Sequence, residues 1–186
     1  DVKTFQDRLA SNANGSITAL QTIYVPADDL SDPAVQMIQH ELDSTIVLSR
    51  AVAAQGIRPA VDILASKSSL LTPEVVGERH YDLATRAMAI LQKYESLKGI
   101  IAIIGESELS AEDRDDYLKA KALIEFFKQR FNVMEKVTGV PGEHMTREQT
   151  LEGVEAIIGK SEATTETDDK VSSEGDHEVI AVPEDK

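Results

Sequence analysis

The nine residues GVEAIIGKS, Gly153 to Ser161, place two glycines, a lysine and a serine in the order used by phosphate-holding loops. Such a loop needs four residues between its first glycine and GK[ST], because loop length decides where the backbone N–H groups point. Here five intervene, and the stretch has the apolar spacing of an amphipathic helix, which uses those N–H groups internally. It reads as a helix ending at Gly159. His40, His80, His144 and His177 show no HxxxH or HExxH spacing and read as surface or helix-edge residues. No serine lies in GxSxG. Asp28, Asp29 and Asp32 cluster without the DxDxDG spacing of a calcium loop and read as a solvated acidic loop. Tyr94, Phe126, Phe127 and Phe131 read as core rather than a base-stacking platform. These motifs yield no catalytic residue and no metal ligand.

A second concentration of chemistry is ESELSAEDRDD, Glu106 to Asp116, directly after the apolar run LKGIIAIIG. Gly105 stops one helical pattern, and Ser110 with Asp113 has capping-box spacing for the next. Carboxylates at a new helix N-terminus are favoured by the helix dipole. That accounts for Glu112 and Asp113, but not for acid on both sides of the turn.

A chain of 186 residues can bury one moderate core, or a small domain with an appended piece. Its apolar runs are too short to span a bilayer. With no cysteine, disulfides, thiolate metal sites and Cys nucleophiles are excluded. The net charge of −14 opposes binding to nucleic acid or anionic lipid. Residues 161–186 carry nine acidic and two basic residues, so half of that excess lies in an acidic tail with few large apolar side chains. Such a tail is expected to be disordered. The chain begins with Asp and shows no secretory signal, so it reads as processed, truncated or a fragment, and Asn14-Gly15-Ser16 reads as a turn rather than a glycosylation site.

The elements follow from periodicity. Residues 1–13 read as the end of a helix entering the Asn14-Gly15 turn. SITALQTIYV, Ser16 to Val25, is β-branched and reads as a buried strand stopped by Pro26. Asp43 is placed to cap a helix over Ser44 to Gln55, followed by Gly56, and IRPAV reads as a second short strand. Beyond Pro73, Tyr81, Ala84, Met88, Leu91, Tyr94, Leu97, Ile101 and Ile104 recur at helical steps and predict a long helix. The next helix carries Leu123 and Phe127 on one face. Thr146 and Gln149 form a capping box before Leu151, Val154, Ile157 and Ile158.

Read as a whole, the chain resembles the C-terminal part of the catalytic beta subunit of F-type ATP synthase. The resemblance is carried by GSITALQTIYVPADDLSDP, LDSTIVLSRAVAAQGIRPAVD, VVGERHYDLA, IIAIIGESELSAED and RFNVMEKVTGVPG, in fixed order over residues 5–160. It implies an α/β remnant of a RecA-like P-loop NTPase domain over residues 1–72. An all-α C-terminal helical domain over 73–160 and the acidic tail, 161–186, would follow. The implied function is coupling of ATP synthesis or hydrolysis to central-stalk rotation and proton transport. The family's P-loop, catalytic carboxylate and metal-binding acid match nothing in this chain, so none of its residues is assigned to catalysis or metal binding. ATP or ADP with Mg is implied for the complete subunit, and no cofactor for this chain alone. The implied partners are alpha-type subunits and the gamma-type central stalk, with the membrane reached only through the complex. The implied location is cytoplasmic and peripheral to the cell membrane, or its mitochondrial or plastid equivalent.

Residue by residue, Tyr24 matches a tyrosine near the nucleotide, and Phe131 an aromatic of the adenine pocket. Arg58 stands where the family's GIYPAVD has its adenine-stacking tyrosine, and Val137 where FTG has a phenylalanine. A guanidinium can stack on a base, but it brings a charge and a different geometry. Gln39 and Glu41 also replace a Phe and a His. Asp28, Asp29 and Asp32 match the acidic loop that contacts the rotor. Glu108, Leu109, Ser110, Glu112 and Asp113 match the DELSEED segment touching the same shaft, with Ser107 and Ala111 replacing an Asp and a Glu. A different class of function is a non-catalytic beta-like module that binds a partner through its helical domain.

Overall fold

The computed structural model describes residues 2–159, and the acidic tail with its expected disorder lies outside them. The chain divides into two compact units, Asp1–Tyr81 and Asp82–Lys186.

In the first unit, α1 (Val2–Gln6) runs into a 3-10 turn at Asp7–Leu9. Asn12 and Gly15 then exchange backbone hydrogen bonds of 2.9 and 3.2 Å around the expected Asn-Gly turn. Residues 16–25 form no strand. Leu20 is 94% exposed, and no backbone N–H of this stretch donates to a described backbone carbonyl. β-propensity expresses fit to a neighbouring strand, and none lies alongside here. After a 3-10 turn at Pro26–Asp28, helix α2 (Pro33–Gln39) begins at Asp32, whose carboxylate accepts from the N–H groups of Ala34 and Val35 at 2.8 and 3.2 Å. Sequence reading missed this helix, although Asp-Pro is an N-cap followed by Pro at the first helical position.

The stretch expected as a helix from Ser44 to Gln55 divides in two. STIVL forms β1 (Ser44–Leu48), with alternating exposure that suits its β-branched residues. Only Arg50–Ala54 is helical (α3), and its cap is Ser49 rather than Asp43. The Asp43 carbonyl instead accepts from Ser69. β2 (Val61–Ser68) starts later than IRPAV predicts, since Pro59 has no N–H for a ladder. The two strands pair antiparallel, with Leu48 opposite Val61 and Ser44 opposite Ser68. Between these ends the register slips. Ser66 bridges the slip, its hydroxyl accepting from Val47 N–H at 3.0 Å and donating to the Asp62 carbonyl at 2.6 Å.

A short α4 (Pro73–Val76) precedes the long α5 (Glu78–Ile104). In the second unit α5 is followed by α6 (Ala111–Phe126), the short α7 (Glu135–Thr138) and α8 (Arg147–Gly159). The buried face of α5 comprises Leu83, Ala87, Leu91 and Leu97, about one position out of phase with the predicted stripe at its start. Tyr81 is 39% exposed. Leu83 and Ala87 face inward where Ala84 and Met88 were expected, because the drift of a 3.6-residue period makes either row an acceptable stripe. Ala120 and Leu123 of α6 are fully buried, with Val154 and Ile158 of α8 completing the core. Leu123 alone contributes about 1.5–3 kcal/mol by burial. Tyr94 stacks on Tyr117 with ring centroids 5.4 Å apart, joining α5 to α6. Phe126 and Phe127 adjoin at 5.7 Å. Phe131 is not core: it is 44% exposed, in a segment, 131–140, with no buried side chain. The described residues thus form a small two-stranded sheet with short helices, followed by a mostly helical region.

Candidate functional site

The acidic tip lies between α5 and α6. Gly105 leaves the helix with φ +89°, a conformation that L side chains rarely adopt, and so redirects the chain. Glu106–Glu108 makes one 3-10 turn, and Leu109 extends to the cap. The Ser110 hydroxyl accepts from Asp113 N–H at 3.1 Å and donates to the Asp113 carboxylate at 2.8 Å. The N-cap half of the capping box is present; the Asp113 carboxylate, shorter than a Glu, accepts from the Ser110 hydroxyl rather than from its backbone N–H.

The structure adds a residue that the motif omits. Lys93, on α5, points its ammonium at three carboxylates: Asp116 at 2.7 Å, Asp113 at 2.9 Å and Glu112 at 3.7 Å. The hydrogen bonds it donates to Asp116 and then Asp113 raise its pKa above the ordinary lysine range. The Asp113 carboxyl is held below the ordinary range, chiefly by Lys93 and then by Ser110. Glu112 is otherwise open to solvent, and Glu108 and Ser110 are exposed. Asp115 pairs with Lys119 at 2.6 Å. The tip therefore presents acid outward while its inner carboxylates are bound by lysines of the same unit. No short-range motif marks Lys93, because Asp113 and Asp116 lie on the next helix.

The other acidic cluster, in the first unit, is spent locally. Asp28 lies 3.5 Å from Arg50, Asp29 accepts from the Ser31 amide and hydroxyl, and Asp32 caps α2. The Ser31 hydroxyl is the main cause holding the Asp29 carboxyl below its usual range. Ala27 and Asp28 have positive φ, 52° and 59°, so the loop is held in a sparsely populated conformation.

The residues matched to a nucleotide pocket are exposed. Tyr24 is 80% exposed beside an open groove of about 560 Å³ lined with Phe5, Gln21 and Ile38. Arg58, in the same unit, donates to the carbonyls of Ala53 and Ile57 at 3.0 and 2.9 Å and so closes the end of α3. In the second unit Phe131 precedes a 3-10 turn and Val137 lies on α7, 77% exposed. GVEAIIGKS lies on α8 up to Gly159, as its periodicity predicts, and Gly153 is a packing glycine against Phe126 rather than a phosphate cradle. Among the described residues, His40 and His144 are exposed, and His80 is half-buried with its Nδ1 unpartnered. His177 lies outside them.

A small α/β region followed by a helical domain is the class that this fold defines. Residues 1–68 match the family model described as ATP synthase alpha/beta family, nucleotide-binding domain. Residues 70–140 match the C-terminal domain of V and A type ATP synthase. The chain is ATP synthase-related. Among solved structures it is similar to the "unique ATP synthase subunit NeqB from Nanoarcheaum equitans", with a TM-score of 0.71 and 24% identity. That match covers 82% of this chain and 36% of the other, so this chain spans about a third of that subunit. At this identity the likeness speaks to the fold.

Proposed function

We propose that the chain is the C-terminal part of a catalytic, beta-type subunit of a rotary F-type ATP synthase, in which the acidic tip bears on the central stalk. The observation that carries this reading is the tip itself: Glu108, Leu109, Ser110, Glu112 and Asp113 sit on a capped turn between two long helices of an ATP synthase-related domain. A short turn stiffened by the Ser110 N-cap and by Lys93 suits a surface that transmits force. The F-type assignment rests on the IIAIIGESELSAED and GSITALQTIYVPADDLSDP segments, beside a C-terminal family model described for V and A types. Asp28, Asp29 and Asp32 would supply a second contact with the same shaft. In the whole subunit ATP or ADP with Mg would bind near Tyr24, Arg58, Phe131 and Val137, with alpha-type subunits as neighbours. Rotation would be coupled to proton transport in a complex peripheral to the membrane; no helix among the described residues is long and apolar enough to cross one. Phosphoryl transfer requires a P-loop lysine and a metal to stabilise charge, and this sequence contains no GxxxxGK[ST].

A Glu108→Cys variant, carried in the full subunit, tests the tip. Cross-linking to the central-stalk protein is expected; cross-linking only to other proteins would overturn the reading. The non-catalytic module is favoured by one observation, the commitment of the Arg58 guanidinium to two carbonyls. Titration of the full-length protein separates the two, since micromolar ATP-Mg binding would exclude the module.

A further inference from the structure

We infer that Lys93 is the positioning residue of the acidic tip, latching the start of α6 onto α5 and thereby fixing how Glu106, Glu108 and Glu112 are presented. Apolar packing does not do this. Between Gly105 and Lys119 no side chain is buried, and the first buried residue of α6 is Ala120. Among the described contacts, the Tyr94–Tyr117 stack and the Lys93 cluster join the first turns of α6 to α5. Of these, only the lysine reaches the capped first turn, through Asp113.

Placement gives the latch its leverage. Lys93 lies three turns before the end of α5, whereas Asp113 and Asp116 lie in the first two turns of α6. At 1.5 Å per residue, α5 continues about 16 Å beyond the latch before Gly105. Among the described side chains Leu97 is the last buried one of this overhang, and beyond it the helix is lightly packed, with Ile103 86% exposed and Ile100 48% exposed. The turn at Glu106–Glu108 thus stands beyond Leu97, with the ion cluster and the Tyr94–Tyr117 stack at its base.

An exposed ion pair contributes little, but this one differs in two respects. The Lys93 side chain is 33% exposed and that of Asp116 25%, so the cluster is partly withdrawn from solvent. One ammonium, with three donors, also serves two carboxylates at bonding distance while attracting a third. The same arrangement sorts the acids: Asp113 and Asp116 are spent inside the unit, leaving Glu106, Glu108 and Glu112 for a partner. The value of the latch for a partner rests on the reading proposed above; the latch itself does not.

Amide hydrogen exchange on the whole 186-residue chain tests this, comparing the native protein with Lys93→Met, Lys93→Arg and Asp116→Asn. Lys93→Met is expected to speed exchange of amides 113–119 by about tenfold, with amides 151–158 of α8 changing less than about twofold. Asp116→Asn should give a smaller rise in the same segment, and Lys93→Arg should return it toward the native rate. About 1 M salt should move the native protein part of the way to Lys93→Met, since it screens charge over a few ångströms. Three results would overturn the latch. They are native rates in Lys93→Met, an equal rise in α8, or Lys93→Arg no better than Met. A failed Glu108→Cys cross-link with these exchange results intact would remove the rotor reading and leave the latch.

Discussion

The ring of Phe126 lies against the backbone of Gly153, so close that a Cβ at Gly153 would fall 2.2 Å from Cζ and 2.5 Å from Cε2. This contact sets the approach of α8 to α6, beside the buried Leu123, Val154 and Ile158. Gly153→Ala gains about 1 kcal/mol of helix propensity, yet overpacking a filled contact costs about 1–3 kcal/mol. The net expectation is a loss of up to about 2 kcal/mol in chemical denaturation. Phe126→Leu combined with Gly153→Ala should recover part of that loss relative to the sum of the single changes. Strict additivity would show that the ring is not the obstacle.

Gly99 makes the opposite case. It lies inside α5 with nothing within 4 Å of where a Cβ would stand. Gly99→Ala should therefore stabilise the chain by about 0.5–1 kcal/mol through backbone entropy alone. Thermal unfolding would register this as a rise in the midpoint. A fall would mean that this part of α5 has a neighbour the structure does not show.

The two glycines show where sequence reading succeeds and where it stops. Helix limits marked by local chemistry were legible: Gly105, the Ser110–Asp113 cap, and the Thr146–Gln149 box, whose reciprocal bonds measure 2.9 and 3.2 Å. Each depends on residues three or four apart. What was not legible depends on distant partners. SITALQTIYV has a strand's composition but no strand beside it, whereas STIVL has one, in β2. Periodicity gave the length of α5 but put part of its buried face one position out, because that choice is made by the helices packed on it. The same limit hid Lys93, whose partners lie about twenty residues further on. The acidity of the tip was legible; which carboxylates remain available was not.

The Lys93 cluster makes a directional prediction about pH. The folded-state Asp113 carboxyl titrates below its ordinary value of 3.8, so its stabilisation is complete above that value and is lost as pH falls through the folded one. Lys93 is shifted upward from 10.5, so its share is complete below that value and is lost only as pH rises through the folded one. Between these limits the cluster should be insensitive to pH. Unfolding midpoints measured from about pH 1.5 to 6 should fall steeply below about pH 4 for the native chain. The fall should be shallower in Lys93→Met, where Asp113 returns toward its ordinary value. The Asp29–Ser31 and Glu143–Arg130 interactions, which also depress carboxyls, are common to both proteins and cancel in the comparison. Parallel curves would mean that Asp113 is held down without help from Lys93.

Residues 16–25 offer the last test, and it bears on what they pack against. Their backbone N–H groups make no backbone hydrogen bond among the described residues. Ile17, Leu20 and Tyr24 are 55%, 94% and 80% exposed. A β-branched segment that exposes both its edge and its large side chains is stable only when something else supplies the ladder. In the 186-residue chain, amides 16–25 should therefore exchange at rates near those of an unstructured peptide, while amides in the middle of α5 are the most protected. In a full-length subunit the same ten amides should become slow, since a RecA-like sheet would place strands along them. Protection in the 186-residue chain equal to that of α5 would show that the segment already has its partners. No change in the full-length subunit would show that it is a surface loop, and the strand-like composition would then need another cause.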